Sequence, residues 1–204
     1  MHEFHRGSLE VVCGPMFSGK SEELIRRLKR VQLSGKPFIL FKPAIDVRYD
    51  ANHVVSHDHR TLEAVITGTD AAAIKEMEKL VEEKQPEVIA FDEGNFYDGN
   101  IIAAVKKWVA QGKRVIVTGL DTDFRGETFG PMGELLAYAD YADKLKAICM
   151  KCKSREAVMT QRLINGLPAK RSDQTILVGG FDSYEARCRD CHTTGPDAAA
   201  WLAA

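Results

Sequence analysis

The segment that most constrains the fold of this chain is a glycine loop near its amino terminus. Its eight residues, GPMFSGKS at Gly14–Ser21, match G-x-x-x-x-G-K-[ST] at every fixed position. An apolar run rich in β-branched residues precedes the loop at Ser8–Cys13, and an amphipathic helical pattern follows it over Lys20–Leu33. A strand, a loop of this kind and a helix in direct succession predict an α/β domain with a phosphate-binding loop (P-loop).

The residue types in the loop suit the binding of a triphosphate. Glycines let backbone N–H groups converge on phosphate oxygens, and the start of the following helix adds a partial positive charge. Lys20 is expected to contact the β- and γ-phosphates, and the Ser21 hydroxyl to bind Mg²⁺. We therefore expect ATP to contact the whole loop, which comprises Gly14, Pro15, Met16, Phe17, Ser18, Gly19, Lys20 and Ser21.

Apolar runs and helical patterns alternate through the first two thirds of the chain. Phe38–Lys42, Val88–Asp92 and Val115–Leu120 are typical of strands that are buried on both faces of a sheet. Helical patterns lie near Asp70–Glu83 and Asn100–Gln111. This alternation predicts a RecA-like parallel sheet with helices on both faces and right-handed crossovers.

Two adjacent carboxylates close the strand predicted at Val88–Asp92. An acid at the end of a buried strand is costly unless it is paired or serves a metal. Asp92 therefore has the position at which P-loop proteins hold Mg²⁺ through water. Glu93 should reach toward the acceptor, where it is a candidate general base. The alternative is that both acids simply face solvent at the strand end.

Four of the five cysteines form two C-x₂-C pairs, Cys149/Cys152 and Cys188/Cys191. Four thiolates in a closed tetrahedral set suit a structural zinc ion, although the gap between the pairs is longer than in common zinc ribbons. His192 follows Cys191 directly and could replace one thiolate. Zinc would tie together the two ends of the intervening loop, which has little core of its own, and would anchor it as a flap over a ligand.

Composition and charge favour a cytoplasmic enzyme with small ligands. The formal net charge is -1, so there is no basic excess that would favour nucleic acid or an anionic membrane. No run approaches the roughly 18 apolar residues of a membrane span, and the amino terminus lacks the apolar segment of a signal peptide.

We expect a P-loop ATP-binding domain at residues 1–143, a zinc-anchored subdomain at 144–192 and a tail at 193–204.

Several motifs, taken together and in order, carry a family resemblance. They are GPMFSGKS at Gly14–Ser21, FDEGNF at Phe91–Phe96, GLDTDFRGETFG at Gly119–Gly130, and the two C-x₂-C pairs, which flank TQRL and VGGFDSY. From about residue 7 to residue 191 the chain resembles the zinc-containing thymidine kinases of cytosolic and bacterial type. The resemblance implies transfer of the γ-phosphate of ATP to the 5′-hydroxyl of thymidine, a homotetramer, and feedback inhibition by thymidine triphosphate.

The resemblance also implies roles for individual residues, with Glu93 as the catalytic base. Beyond the P-loop, the implied ATP contacts are Asp46, Arg48, Asp92, Glu93, Gly94 and Asn95. The implied thymidine contacts are Met16, Phe96, Leu120, Phe124, Phe129, Thr160 and Tyr184, together with backbone groups of a lasso segment at Thr175, Ile176, Leu177, Val178 and Gly179. The phenylalanine faces suit stacking on a flat base, worth about 1–3 kcal/mol per base, whereas the alternative is that they are core.

Asn95 departs from the family pattern, which usually has glutamine at this position. Two other functions stay open on the residues alone. A RecA-like ATPase with a zinc interaction module would share the P-loop, Asp92 and a glutamate that activates water, although near-neutral charge disfavours nucleic acid as its partner. A kinase of this type could also accept deoxyuridine beside thymidine.

Overall fold

The computed structural model describes residues 7–44, 53–55, 61–175 and 184–196. The strands of the first part are β1 (Ser8–Cys13), β2 (Phe38–Pro43), β3 (His53–Val55), β4 (Thr61–Glu63), β5 (Val65–Thr67), β6 (Val88–Phe91), β7 (Arg114–Gly119) and β8 (Tyr141–Lys144). Six of them form one parallel sheet in the order β5-β2-β6-β7-β1-β8, and β3 pairs with β4 in a separate antiparallel ribbon. The predicted parallel α/β sheet is confirmed.

Helices cover both faces of this sheet, as predicted. They are α1 (Lys20–Leu33), α2 (Ala71–Lys84), α3 (Asn100–Ala110) and α4 (Met132–Tyr138), with a 3₁₀ turn at Gly94–Phe96. The apolar stripe of α1 packs on one face, and α2, α3 and α4 pack on the other. Neighbouring residues of a strand point to opposite faces, so in β6 Ala90 contacts the α1 side and Phe91 the α3 side. Burial on both faces explains why each central strand is apolar throughout.

Two helices begin in different ways, and the difference matters for ligand binding. At α2 the Asp70 carboxylate accepts a hydrogen bond from Ala73 N at 2.9 Å, which caps the helix. At α1 the residue before the helix is Gly19, with φ 83°, and no side chain caps it among the described residues. The first turn of α1 therefore keeps backbone N–H groups directed toward the loop, where an anion is favoured.

The described residues from 145 to 196 form a small region that we name the cysteine module. Its strands are β9 (Ala147–Ile148), β10 (Glu156–Ala157), β11 (Met159–Ile164), β12 (Leu167–Pro168) and β13 (Tyr184–Arg187). An antiparallel pair, β9 with β10, lies beside an antiparallel sheet in the order β12-β11-β13. Strand β8 ends at Lys144, so the main sheet runs one residue past the boundary expected after residue 143.

The tail expected from residue 193 begins in ordered contact with the module. The Gln161 side chain donates to Thr193 O at 2.7 Å and accepts from Thr193 N at 2.9 Å. Gly195 N donates to Ala169 O at 2.8 Å. The first residues of the tail are thus held by β11 and by Ala169, which follows β12, while residues 197–204 lie outside the described part. Within the described part, no helix has the length and apolar character that crossing a membrane requires.

Candidate active site and metal centre

The P-loop closes around the side chain of Lys20. Strand β1 ends at Cys13, and Gly14 then has φ 143°; a Cβ there would lie 2.4 Å from Leu145 O, so only glycine fits. Lys20 is almost fully buried, and its Nζ donates to Pro15 O at 2.8 Å. Burial lowers the pKa of this amine. The loop therefore presents a desolvated ammonium group at the start of α1.

Asp92 lies next to this loop although it follows a strand that is not adjacent to β1. The intervening strand, β7, contributes Thr118, whose hydroxyl donates to Asp92 Oδ1 at 2.8 Å. The Ser21 hydroxyl lies 3.4 Å from each carboxylate oxygen of Asp92. A hydroxyl and a buried carboxylate are hard oxygen ligands of the kind that Mg²⁺ prefers. The two residues expected to serve Mg²⁺ are therefore together, and their chemistry fits that ion.

Glu93 has a left-handed backbone, with φ 51° and ψ 45°, directly after β6. A non-glycine residue adopts this conformation at a cost of about 1–3 kcal/mol, and such strain persists where the surroundings determine it. Here the next residue leaves little freedom, because a Cβ on Gly94 would lie 2.5 Å from Val117 Cγ1. The chain leaves the sheet at Glu93, whose side chain is half-buried, and the negative charges of Glu93 and Asp92 both act on Lys20.

Asn95 makes a structural hydrogen bond that could not be predicted from the sequence. Its Oδ1 accepts a hydrogen bond from Leu120 N at 2.9 Å, which joins the 3₁₀ turn to the end of β7. A Cβ on Gly119 would lie 2.8 Å from that oxygen, and one on Gly130 would lie 2.3 Å from Asn95 O. The short amide is thus matched to a tight space between glycines. Its buried Nδ2 has no hydrogen-bond partner among the described residues.

The residues expected around thymidine come from three parts of the fold. Met16 N donates to Thr160 Oγ1 at 3.1 Å, which joins the P-loop to β11 of the cysteine module. The half-buried rings of Phe96 and Phe129 meet edge to face, with centroids 5.6 Å apart. Leu120 is held by Asn95, and Tyr184 begins β13 opposite β11. The structure therefore brings the P-loop, the turn after β6 and the module together at one edge of the sheet.

Phe124 is placed differently from the other expected thymidine contacts. Its ring is 3% exposed and carries two guanidinium groups, with Arg125 4.5 Å and Arg162 5.3 Å from the centroid. Its carbonyl oxygen accepts a hydrogen bond from His192 Nε2 at 2.8 Å. Burial is the main cause that lowers the pKa of His192. Phe124 thus packs against two cations, and its contact with thymidine stays a prediction.

The described end of the lasso segment is held by Arg125. Its Nε donates to Arg171 O at 2.6 Å and one terminal nitrogen donates to Thr175 Oγ1 at 2.8 Å. Another terminal nitrogen donates to Asp173 O, and Arg162 donates to Gln174 O. Several expected ligand contacts lie outside the described residues, namely Asp46, Arg48, Ile176, Leu177, Val178 and Gly179.

The four paired cysteines form one cluster. The Sγ atoms of Cys149, Cys152, Cys188 and Cys191 all lie within 4.8 Å of one another. Hydrogen bonds from Ser154 lower the pKa of Cys152 to about 6, whereas a hydrogen bond with Cys188 raises that of Cys191 to about 12. So close a set cannot hold four thiolates without a cation, and the donor set fits tetrahedral zinc. His192 is outside the set, because its ring bonds to Phe124.

Sequence reasoning missed three polar residues at the same sheet edge. In β2 and β7, the strand residues two positions before Lys42 and Thr118 pack on α1. Because alternate residues of a strand point to the same face, Lys42 and Thr118 share that face with Asp92. Lys42 is 3% exposed, and Asp121, which follows β7, is 5% exposed. Each of these polar residues interrupts or ends an apolar run, and this interruption could have marked it as a candidate site residue. Their proximity to the P-loop depends on strand order, which single runs do not specify.

The sheet, the loop at Gly14–Ser21 and the buried lysine at the helix start together define a P-loop protein that binds nucleotides. The sequence model described as Thymidine kinase matches residues 7–192, and the chain therefore belongs to the thymidine kinase family. The matched range includes Asp92, Glu93 and the complete cysteine cluster. The resemblance seen in the sequence is confirmed, and membership supports a kinase that binds nucleotides.

Proposed function

We propose that the chain transfers the γ-phosphate of ATP to the 5′-hydroxyl of thymidine, giving thymidine monophosphate for nucleotide salvage and DNA precursor synthesis. The observation that carries this proposal is the convergence of Lys20, Ser21 and Asp92 beside Glu93, in a chain of the thymidine kinase family. Phosphoryl transfer proceeds through a loose transition state, so catalysis depends on positioning and charge more than on covalent chemistry. A buried ammonium and a helix start supply both.

The nucleotide would lie against the P-loop. Backbone N–H groups of the loop and Lys20 would bind the β- and γ-phosphates. Ser21 and Asp92 would hold Mg²⁺, which neutralises developing charge on the phosphates when bound. We also propose ATP contacts for residues near this loop, on the family resemblance: Asp46, Arg48, Gly94 and Asn95.

Glu93 would act as the general base. Its carboxylate accepts the proton of the thymidine 5′-hydroxyl while the oxygen bonds to the γ-phosphorus and the bond to the departing ADP breaks. The half-buried position of Glu93 supports this role, because among the carboxylates its charge acts most strongly on Lys20 of the P-loop. General-base assistance contributes about 10² to 10⁴-fold in rate.

Thymidine would bind between the P-loop, the 3₁₀ turn and the cysteine module. The half-buried rings of Phe96 and Phe129 offer surface for the base, and Phe124 is a further proposed contact. Further proposed contacts are Met16, Leu120, Thr160, Tyr184 and the backbone of residues 175–179. A zinc ion held by the four cysteines would fix the module next to this pocket.

The wider biology of the chain is also a proposal that rests on the family resemblance. It comprises a homotetramer, feedback inhibition by thymidine triphosphate and a cytoplasmic location. The formal net charge of -1 supports small ligands over nucleic acid as partners.

An assay with radiolabelled ATP and a panel of deoxynucleosides tests the proposal. We expect labelled thymidine monophosphate, and we expect Glu93→Gln to lower kcat by about 10² to 10⁴-fold while ATP affinity stays near the parent value. The matched control is Glu22→Gln, an exposed acid on α1. ATP hydrolysis without formation of a nucleoside monophosphate would support the ATPase alternative. Equal turnover of purine deoxynucleosides would contradict the specificity for thymidine.

A further inference from the structure

The proposed reaction leaves one buried acid beside the P-loop without a task. Asp121 follows β7 and is 5% exposed, and its Oδ2 lies 2.5 Å from the Nζ of Lys144, the last residue of β8. A buried carboxylate is costly unless a cation neutralises it. The side chain of Lys144 is 51% exposed, so this lysine reaches inward from the surface to make the pair.

The ion pair spans the point at which β1 enters the P-loop. Strand β1 lies between β7 and β8, and Cys13 is in register with Gly119 on one side and with Lys144 on the other. The residue after Lys144 continues the contact, because Leu145 N donates to Cys13 O at 2.8 Å. Leu145 O in turn fills the space in which a Cβ of Gly14, the residue after Cys13, would lie. The pair therefore connects the two strands that flank the loop entrance.

The charge of Asp121 also reaches the phosphate site. After burial, it is the largest cause that raises the pKa of Cys13, to about 11. It is also among the carboxylates, after Glu93 and Asp92, whose charge favours the ammonium form of Lys20. An unpaired negative charge that acts on Lys20 would oppose the binding of a triphosphate, since burial weakens the screening between charges.

We propose that Asp121 and Lys144 are a positioning pair for ATP, which holds the entrance of the P-loop and neutralises a carboxylate beside the phosphates. This inference rests on the ATP binding in the proposed function and extends it to residues outside the motif. Neither residue touches the reacting atoms, so the pair acts on nucleotide affinity through Gly14 and Lys20.

Titration calorimetry with ATP and Mg²⁺, without thymidine, tests the pair. Lys144→Ala should weaken ATP binding by about tenfold, as expected for coupled charges in contact. Lys144→Arg keeps the cation and should bind ATP within about twofold of the parent. Adding Asp121→Asn to Lys144→Ala removes the unpaired carboxylate and should restore most of the lost affinity.

Lys146→Ala is the matched control. Lys146 has a similar exposure, 48%, and pairs with Glu156 on the surface, 2.5 Å away. The substitution removes the same charge two residues further along, and ATP affinity should stay within about twofold because exposed pairs contribute little.

Two outcomes would overturn the proposal. The first is parental ATP affinity in Lys144→Ala, with or without a lower melting temperature, because the pair would then be merely structural. The second is a double variant that binds ATP as weakly as Lys144→Ala, because the unpaired charge would then not be the cause. A parent chain that binds ATP and phosphorylates no thymidine would contradict the proposed function and leave this test intact.

Discussion

The central sheet and the cysteine module reach a folded state by different means. The sheet buries large apolar side chains on two faces, including Phe91, whose ring lies 5.3 Å from Phe41 and 5.9 Å from Trp108. The buried cluster of the module consists of Cys149, Ala157, Ala186 and Cys188. Such a cluster excludes too little apolar surface to stabilise a region of this size. The module therefore needs another source of stability, which a metal held by its four cysteines would supply, whereas the apolar core is sufficient for the sheet.

The two regions are nevertheless in contact at the P-loop. Phe17, in the middle of the loop, packs against the buried cluster of Cys149, Ala157, Ala186 and Cys188, and Met16 N donates to Thr160 Oγ1 of β11. Residues that are far apart in sequence therefore meet at the nucleotide site. If the cysteines hold zinc as proposed, removal of the metal should weaken the proposed binding of ATP as well as that of thymidine.

Phe91→Ala removes part of the apolar core of the sheet and should have the largest effect on stability. Removing a stacked, fully buried ring leaves a cavity and should lower the free energy of unfolding by about 3–5 kcal/mol. Denaturant titration followed by circular dichroism measures this change. The control is Ile148→Ala in the module, where the side chain is exposed and little should change. A loss below about 1 kcal/mol for Phe91→Ala would contradict the role of the core.

Cys188→Ser removes one of the four clustered thiols of the cysteine module. We expect the metal content, measured by plasma mass spectrometry, to fall, and affinity for ATP and thymidine to fall by about tenfold, while the main unfolding transition of the sheet moves little. Cys13→Ala is the control, because this thiol is in β1 and outside the cluster. Metal loss with unchanged affinity for both ligands would show that the contact at Phe17 carries no coupling.

Ion pairs also contribute to the stability of the sheet, and acid should weaken them. Hydrogen bonds from Arg26 and then Arg27 lower the pKa of Glu23 to about 2. Arg27 also binds Glu10 of β1 and Asp143 of β8. A carboxyl whose pKa is lowered by folding stabilises above its unfolded pKa, about 4.3, and this stability is lost as the pH falls toward 2.

We therefore expect Glu23→Gln to remove about 1–2 kcal/mol of stability at about pH 6 and to flatten the fall in stability between about pH 5 and pH 2. Unfolding free energies measured from about pH 6 down to about pH 2 test both expectations. The exposed neighbour offers the control Glu22→Gln. Parallel pH profiles for the parent and Glu23→Gln would rule out this carboxyl as the source.

Tyr97→Phe probes the smallest expected difference within the sheet. The hydroxyl of Tyr97 lies 3.1 Å from Thr67 Oγ1, and burial raises the pKa of this phenol. Removing one hydrogen bond while keeping the ring should cost about 1 kcal/mol. Thermal unfolding measures it, with Tyr138→Phe at an exposed position as the control. Equal melting temperatures for the two variants would show that the hydrogen bond contributes nothing.

Most of the sheet could be predicted from the sequence. The bounds of β1 and α1 agree with the expected ranges, and the strands at β2, β6 and β7 and the helices α2 and α3 agree within one or two residues. Each of these elements has a strong periodic or continuous apolar pattern. The cysteine cluster was equally predictable, because ligand spacing is independent of periodicity.

Other parts had no pattern to read. The four residues of β8 are all exposed, and β9, β10 and β12 have two residues each. Short or exposed strands owe their existence to neighbours and not to their own sequence. The amide of Asn95 and the pair between Asp121 and Lys144 depend in the same way on which strands are adjacent. That adjacency follows from the whole fold and not from any one segment.

Phe17 has a left-handed backbone, with φ 66°, and an aromatic side chain that packs on the small buried core of the cysteine module. The backbone alone would favour glycine or asparagine, whereas the packing needs a large ring. Exchange of modules between members of the family is therefore constrained at this position. A chimera that receives a foreign cysteine module should also receive the donor's residue at position 17, although that residue belongs by sequence to the nucleotide loop.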